Sequence, residues 1–123
     1  MSRPVVSEFL HGRLHNRYFR SIDNKHGVSS SETVFHYQVT EASITGRYQG
    51  GRIATGHQVG HALGDTTFEL LYHCVTIDGE LLAGWSKGQV GQDAEGRTTL
   101  SFVWGWLSGA EGGGESHYVE TAG

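Results

Sequence analysis

Four tight turns divide this chain into runs that alternate apolar and polar residues, a pattern typical of antiparallel strands rather than of helices. Such turns favour glycine because tight hairpins need residues that tolerate a positive φ. A hairpin turn also fixes which residues pair across the two strands, so it predicts which side chains share a face of the sheet. The predicted turns are Glu41-Ala42, Gly50-Gly51, Asp78-Gly79 and the loop from Asp93 to Gly96.

Closing these turns in order predicts eight short antiparallel strands. Further connections lie around 63–66 and in the glycine-rich stretch 109–114, and a run from Phe19 to Asn24 is predicted to be the first strand. We therefore predict an all-β fold, an eight-stranded up-and-down barrel of the kind that holds one small ligand. An open, curled sheet and a sandwich are the alternatives. Closure is favoured because a lone sheet this aromatic would expose a large apolar patch.

Length and composition predict a single domain with a short N-terminal arm. The 123 residues include 19 glycines and one proline, which suits many turns and bends. We assign 1–18 to an arm, short helix or lid and 19–123 to one β-barrel domain. His11 and His15 have the spacing of a chelating pair on a helix, but Gly12 weakens that helix and no carboxylate stands at metal spacing. No metal and no other cofactor is therefore predicted.

Charge and hydropathy exclude several classes of partner. The net charge of −4 argues against nucleic acid and against an anionic membrane surface. The chain has neither a long apolar stretch nor the pattern of a secretory leader, so a cytoplasmic location is expected. Its single cysteine excludes an intrachain disulfide framework.

The predicted pairing places most aromatic side chains on the inner face of the barrel. An interior that is mostly apolar, with a few convergent polar groups, is typical of a ligand pocket. A small barrel can also fill itself with side chains, and a solid core is the alternative. The predicted ligand-binding residues are Phe35, Tyr37, Tyr48, Trp85, Phe102, Trp104, Trp106 and Tyr118.

One predicted pair on this face suggests chemistry. His57 falls opposite Tyr72, and an imidazole beside a phenol can act as an acid–base couple. A satisfied buried hydrogen bond without a catalytic role is the alternative. Lys87 and Glu120 also fall on this face in the predicted pairing. An inward Lys87 could bind a carboxylate-bearing ligand or form a Schiff base. Alternatively, its ammonium group reaches solvent at the rim of the barrel.

The outer face carries a second set of apolar residues. Apolar residues on both faces of the same strands indicate that the outer face is also buried. A second copy in a two-fold dimer is the simplest partner for this face, and the N-terminal arm is the alternative. We therefore predict a homodimer that packs through the outer face around Leu71, Val75, Leu82, Val103 and Leu107.

Several motifs resemble those of a known family. They are Ser31-Glu32-Thr33-Val34-Phe35-His36-Tyr37, Tyr48-Gln49-Gly50-Gly51, Asp78-Gly79-Glu80-Leu81 and Trp104-x-Trp106-x-x-Gly109. On these motifs, residues 19–121 resemble a family of small bacterial proteins often labelled "n-acetylglutamate synthase", and the resemblance implies a barrel of the lipocalin or avidin kind. The acyl-CoA loop of such a synthase has the form (Gln/Arg)-x-x-Gly-x-(Gly/Ala), and its nearest match here, 47–52, fails at the last position.

Three functions stay open at this point. The first is a cofactor-free isomerase or cyclase that acts on an apolar or aromatic small molecule, with His57 and Tyr72 exchanging protons. The second is a non-catalytic binding or carrier protein whose rings stack on a ligand. The third is an interaction module with a solid core that works through its outer face.

Overall fold

The computed structural model describes residues 5–24 and 28–122, which form one short helix and eight antiparallel strands in a closed barrel. Each strand pairs with its neighbours in the chain, and the first pairs with the last. The predicted all-β, eight-stranded meander barrel is confirmed. In chain order the elements are α1 (Glu8–Leu14), β1 (Arg17–Asn24), β2 (Val34–Thr40), β3 (Ser43–Gly50), β4 (Ile53–Ala62), β5 (Thr67–Thr76), β6 (Leu81–Gln92), β7 (Thr98–Ser108) and β8 (Gly113–Thr121).

Helix α1 lies across one end of the barrel, which we call the helix end. Ser7 caps the helix by accepting a hydrogen bond from the Leu10 amide at 3.1 Å, and its own hydroxyl donates to the Asp65 carbonyl in the β4–β5 connection. Leu10 and Leu14 are fully buried, while Arg13 donates to residues at the start of β7. The helix therefore plugs this end, and the opposite end, between the β1–β2, β3–β4, β5–β6 and β7–β8 connections, is the open end.

The first predicted hairpin is correct. Val39 pairs with Ile44 and Phe35 pairs with Tyr48, so all four side chains are buried on the inner face. The turn places Glu41 at a φ of 56°, which closes a two-residue connection. The first strand begins at Arg17, two residues before its predicted start.

The predicted register of β4 is wrong, because this strand contains a β-bulge. Gly50 pairs with Ile53, but Tyr48 pairs with Gly56 rather than Ile53, and the ladder to β5 shifts between Ile53 and Thr55. One extra residue reverses every side chain that follows it. His57 therefore points outward, where its partner on β5 is His73.

The predicted register of β6 is wrong by one residue. Tyr72 pairs with Gly84 and Leu70 pairs with Ser86, where the turn had predicted Trp85 and Lys87. A shift of one residue exchanges the two faces of a strand. The inward side chains of β6 are those of the even-numbered positions 82 to 90, all of which are buried, whereas Lys87 is exposed.

Apolar side chains fill the helix end of the interior. They come from α1 and from strands β1 to β7. The buried residues of this half include Leu10, Leu14, Phe19, Val39, Ile44, Ala62, Phe68, Leu70, Val90 and Leu100.

Candidate ligand-binding site

The other half of the interior contains a cavity. The volume open to the centres of water-sized molecules is about 50 Å³. One water needs about 10–15 Å³ by this measure, so the cavity holds roughly three to five waters. Its described lining consists of Val28, Ser29, Phe35, Tyr37, Tyr48, Gln58, Tyr72, Cys74, Ser86, Phe102, Trp104, Trp106, Ser116 and Tyr118.

Aromatic rings form two walls of this cavity. On one side Phe35 stacks on Tyr48 with ring centroids 4.8 Å apart and an interplanar angle of 15°. On the other side Trp106 meets Trp104 at 5.3 Å and Tyr72 at 5.9 Å, both edge to face. Tyr72 and Trp106 are only partly buried, so this second wall reaches the open end. Rings arranged in this way suit a planar guest, which gains from stacking and edge contacts.

Glycines on the inner face provide the room for these rings. A Cβ atom at Gly56 would lie 2.4 Å from the Tyr48 ring, and one at Gly84 would lie 2.4 Å from the Tyr72 ring. Each glycine is the cross-strand partner of the tyrosine that covers it. The tyrosine rings therefore lie flat against the neighbouring strand, and the space at the barrel axis stays open.

Three side chains that line the cavity each carry a buried polar atom with no hydrogen-bond partner within the described part of the chain. These atoms are Gln58 Oε1, Ser86 Oγ and Trp104 Nε1, on side chains that are at most 9% exposed. Leaving a buried donor or acceptor unpaired costs about 1–3 kcal/mol. Three such atoms around one void indicate a site that a polar guest or ordered water satisfies.

The described lining of the cavity is electrically neutral. None of those residues carries a carboxylate, an amine, a guanidinium or an imidazole. Burial, with a smaller contribution from neighbouring groups, raises the pKa values of Tyr37, Tyr48 and Tyr72 well above that of a free phenol. For Tyr37 a hydrogen bond with the Gln58 side chain offsets part of this rise in pKa. Burial also raises the pKa of the Cys74 thiol, although Tyr48 offsets part of this. All four groups are therefore protonated at neutral pH.

Two of the phenols are held by the backbone. The Tyr48 hydroxyl donates to the His73 carbonyl at 3.3 Å, and the Tyr72 hydroxyl donates to the Gly105 carbonyl at 3.2 Å. These bonds fix the two rings as walls of the cavity.

Seven of the eight predicted ligand-binding residues lie around this cavity, together with Tyr72. Trp85 does not, because it belongs to the outward set of β6 and covers Gly105 from outside, where a Cβ would lie 2.7 Å from the indole nitrogen. The predicted pairing of His57 with Tyr72 is wrong, since Gln58 takes that place. Glu120 lies at the helix end, where it pairs with Arg17 and accepts from the Thr98 amide.

The sequence reasoning missed Gln58 and Ser86, the two polar side chains that replace His57 and Lys87 on the inner face. One signal was available for β6: Lys87 and Gln89 occupy successive odd positions, and charged or amide side chains at alternate positions indicate the solvent face. For β4 the signal is weaker: Gly56 lies inside the predicted strand, where a glycine often marks a bulge.

The outward side chains of β4 to β7 form a second apolar surface. Val59, Leu71 and Val103 are more than half exposed, and Leu71 pairs with both Val59 and Trp85 across the sheet. The prediction that Leu82 belongs to this surface is wrong, because its side chain is buried on the inner face, with 3% of its surface exposed. We call Val59, Leu71, Trp85, Val103 and Leu107 the outer apolar face.

The comparison with protein families agrees with this architecture. The family model described as "Avidin-like protein" matches residues 12–121. The chain belongs to the avidin-like family. No curated protein and no solved structure gives a significant match. The fold and the small-molecule-binding character of this avidin-like barrel agree with the cavity, whereas the role of each lining residue rests on the geometry above.

The described residues contain no helix long and apolar enough to span a membrane. They also contain no group of three or more histidine, cysteine, aspartate or glutamate side chains placed to hold a metal ion. His11 and His15 stack with centroids 4.8 Å apart, and His15 Nδ1 accepts a hydrogen bond from the Val39 amide.

Proposed function

We propose that the protein binds and carries a neutral, ring-bearing small molecule inside the open half of its barrel. The observation that carries this proposal is the aromatic cavity with three unpartnered polar atoms on its walls. An apolar pocket with a few convergent polar groups is the usual form of a small-molecule site.

The absence of charge from the described lining supports a neutral guest. An ionic group placed in this cavity would lose its hydration and would meet no counter-ion among those residues. A neutral ring loses little hydration and gains contact with both aromatic walls. The ligand class we propose therefore excludes compounds that would place a free carboxylate inside the cavity.

The same neutrality favours carriage over catalysis. Acid–base catalysis needs a group whose pKa lies near the working pH. Burial moves the pKa values of the lining phenols and of the Cys74 thiol away from neutrality, upward in every case. His57 and Tyr72 lie on opposite faces, so the isomerase or cyclase activity stays a prediction without a geometric basis. The cytoplasmic location also stays a prediction.

Native mass spectrometry of the protein from its own host tests the proposal. We expect a complex that releases a neutral, ring-containing compound on denaturation. Tryptophan fluorescence gives a second readout, because Trp104 and Trp106 line the cavity while Trp85 lies outside. Trp85→Phe is the matched control and should retain the ligand-dependent change. A ligand signal carried by Trp85 alone would overturn the proposal.

The outer apolar face supports a further proposal, that two copies associate through it. Its exposed branched side chains lie on β4, β5 and β7. Between them, on β6, the indole of Trp85 lies over Gly105, which leaves an even surface for sheet-on-sheet packing. The outer side of β3 is polar in contrast, with Thr45 and Arg47 exposed.

Analytical ultracentrifugation tests this association. We expect a dimer that the double substitution Leu71→Asp and Val103→Asp converts to a folded monomer, because two buried carboxylates would face an apolar partner. Thr40→Asp, on the exposed outer side of β2 and away from the outer apolar face, is the control and should leave the dimer intact. A wild-type protein that sediments as a monomer at every concentration would contradict the proposal.

A further inference from the structure

The three unpartnered atoms in the cavity differ in hydrogen-bonding chemistry. The indole Nε1–H of Trp104 only donates, Gln58 Oε1 only accepts, and the Ser86 hydroxyl does either. A guest that satisfies all three must therefore offer both an acceptor and a donor. A purely apolar ring would leave each of them unpaired and would bind more weakly.

The donor and acceptor atoms lie on different walls. Ser86 and Trp104 are direct partners in the ladder between β6 and β7, so their polar groups share one wall. Gln58 Oε1 is turned the other way: a Cβ at Gly46 on β3 would lie 2.5 Å from it and 3.3 Å from the Tyr37 ring on β2. In a barrel of eight strands, β3 and β7 are four strands apart and face each other across the axis.

We propose that the cavity selects neutral planar rings with a hydrogen-bond acceptor, such as a carbonyl oxygen, on one edge and an O–H or N–H donor on the opposite edge. The acceptor faces Trp104 and Ser86, and the donor faces Gln58. This inference rests on the proposed function and adds the polar pattern and the orientation of its ligand. Para-hydroxylated aryl ketones are the simplest compounds of this class.

Three probes of similar size separate the two edges of the ligand. Para-hydroxyacetophenone has both groups, acetophenone lacks the donor, and para-ethylphenol lacks the carbonyl. Calorimetric titration of the wild-type protein should give an affinity for the first that is about five- to tenfold higher than for either of the others, which is the usual effect of one lost hydrogen bond.

Two substitutions test the orientation of the ligand in the cavity. In Gln58→Met the advantage of para-hydroxyacetophenone over acetophenone should vanish, while its advantage over para-ethylphenol remains. In Trp104→Phe, which keeps a ring on the wall, the reverse should hold. Such coupling between one ligand group and one side chain is what a double-mutant cycle measures. Trp85→Phe, the same substitution on the outer face, is the matched control and should preserve both advantages.

The outcomes separate this inference from the proposed function. Equal binding of all three probes would overturn the inference and leave the carrier proposal standing, because water would then satisfy the polar atoms. Binding of none of them would overturn both. If Gln58→Met does not fold, Ser86→Ala and the wild-type series still test the acceptor edge. Equal affinities of the wild type for para-hydroxyacetophenone and para-ethylphenol would contradict the assignment of that edge. So would an advantage of the ketone that neither Ser86→Ala nor Trp104→Phe reduces.

Discussion

The two halves of the barrel interior use the same strands in different ways. At the helix end, Leu10, Leu14 and Phe19 are fully buried among apolar neighbours. At the open end, the inner positions are rings, glycines and small polar groups, and three polar atoms are left without partners. Close packing stabilises a fold, whereas a cavity with unpaired polar groups costs stability. The comparison therefore indicates that the helix end holds the barrel together, and it supports the proposal that the open end binds the ligand.

The largest expected effect is on the stability of the helix end. Phe19→Ala removes a fully buried ring that meets Tyr37 edge to face at 5.6 Å. Such a change costs about 3–5 kcal/mol in the free energy of unfolding, which urea denaturation measures. Trp106→Ala at the open end should cost less, because the indole is only partly buried, yet it should weaken ligand binding. A larger stability loss for Trp106→Ala would remove the contrast between the two halves.

The second prediction is that the buried tyrosines lower the stability of the fold at alkaline pH. Burial raises the pKa values of Tyr37, Tyr48, Tyr72 and Tyr118 in the folded protein. The folded state then holds more protons than the unfolded state above pH of about 10, so the free energy of unfolding is unaffected below that pH and falls as the pH rises beyond it.

Ultraviolet absorbance of phenolate and circular dichroism measure this loss together. We expect most of the phenolate signal to appear in the same transition as the loss of β-structure. Ionisation of these four tyrosines while the barrel stays folded would show that the interior is already open to water.

A cavity-filling substitution tests the open end alone. Ser86→Leu adds an apolar side chain to a 4% exposed position on the cavity wall, and we expect it to lower the affinity for a ring ligand by at least about tenfold, since it displaces a ring-sized guest. Ser101→Leu makes the same chemical change on the exposed side of β7 and should leave binding unchanged. Equal affinities of both variants and the wild type would place the ligand elsewhere.

The smallest expected effect concerns the attachment of α1. Ser7→Ala removes the cap on the Leu10 amide and the bond to the Asp65 carbonyl, and such a loss costs about 1 kcal/mol. Ligand affinity should not change, because the cavity lies in the other half of the interior. A change in affinity would show that the two halves are coupled.

The turns predicted the barrel and the inner faces of β2, β3, β5, β7 and β8. The register itself was correct for β2 with β3, because that two-residue connection fixes the pairing locally. Tyr37, Tyr48, Trp104 and Trp106 were therefore assigned correctly to the interior. The faces of β4 and β6 were wrong, since a strand has a period of two and a bulge or a shift of one residue exchanges its faces. The polar side chains of the site lie on those two strands, so Gln58 and Ser86 were missed, whereas most of the aromatic side chains were found.

The most direct test of the account is a nuclear magnetic resonance titration that follows the three indole N–H signals, one from each tryptophan. With para-hydroxyacetophenone as the ligand, we predict a large shift for Trp104, whose N–H gains an acceptor, a smaller one for Trp106 on the same wall, and none for Trp85 on the outer face. A saturable shift of Trp85 with Trp104 unmoved would contradict the claim that the open half of the barrel is the binding site.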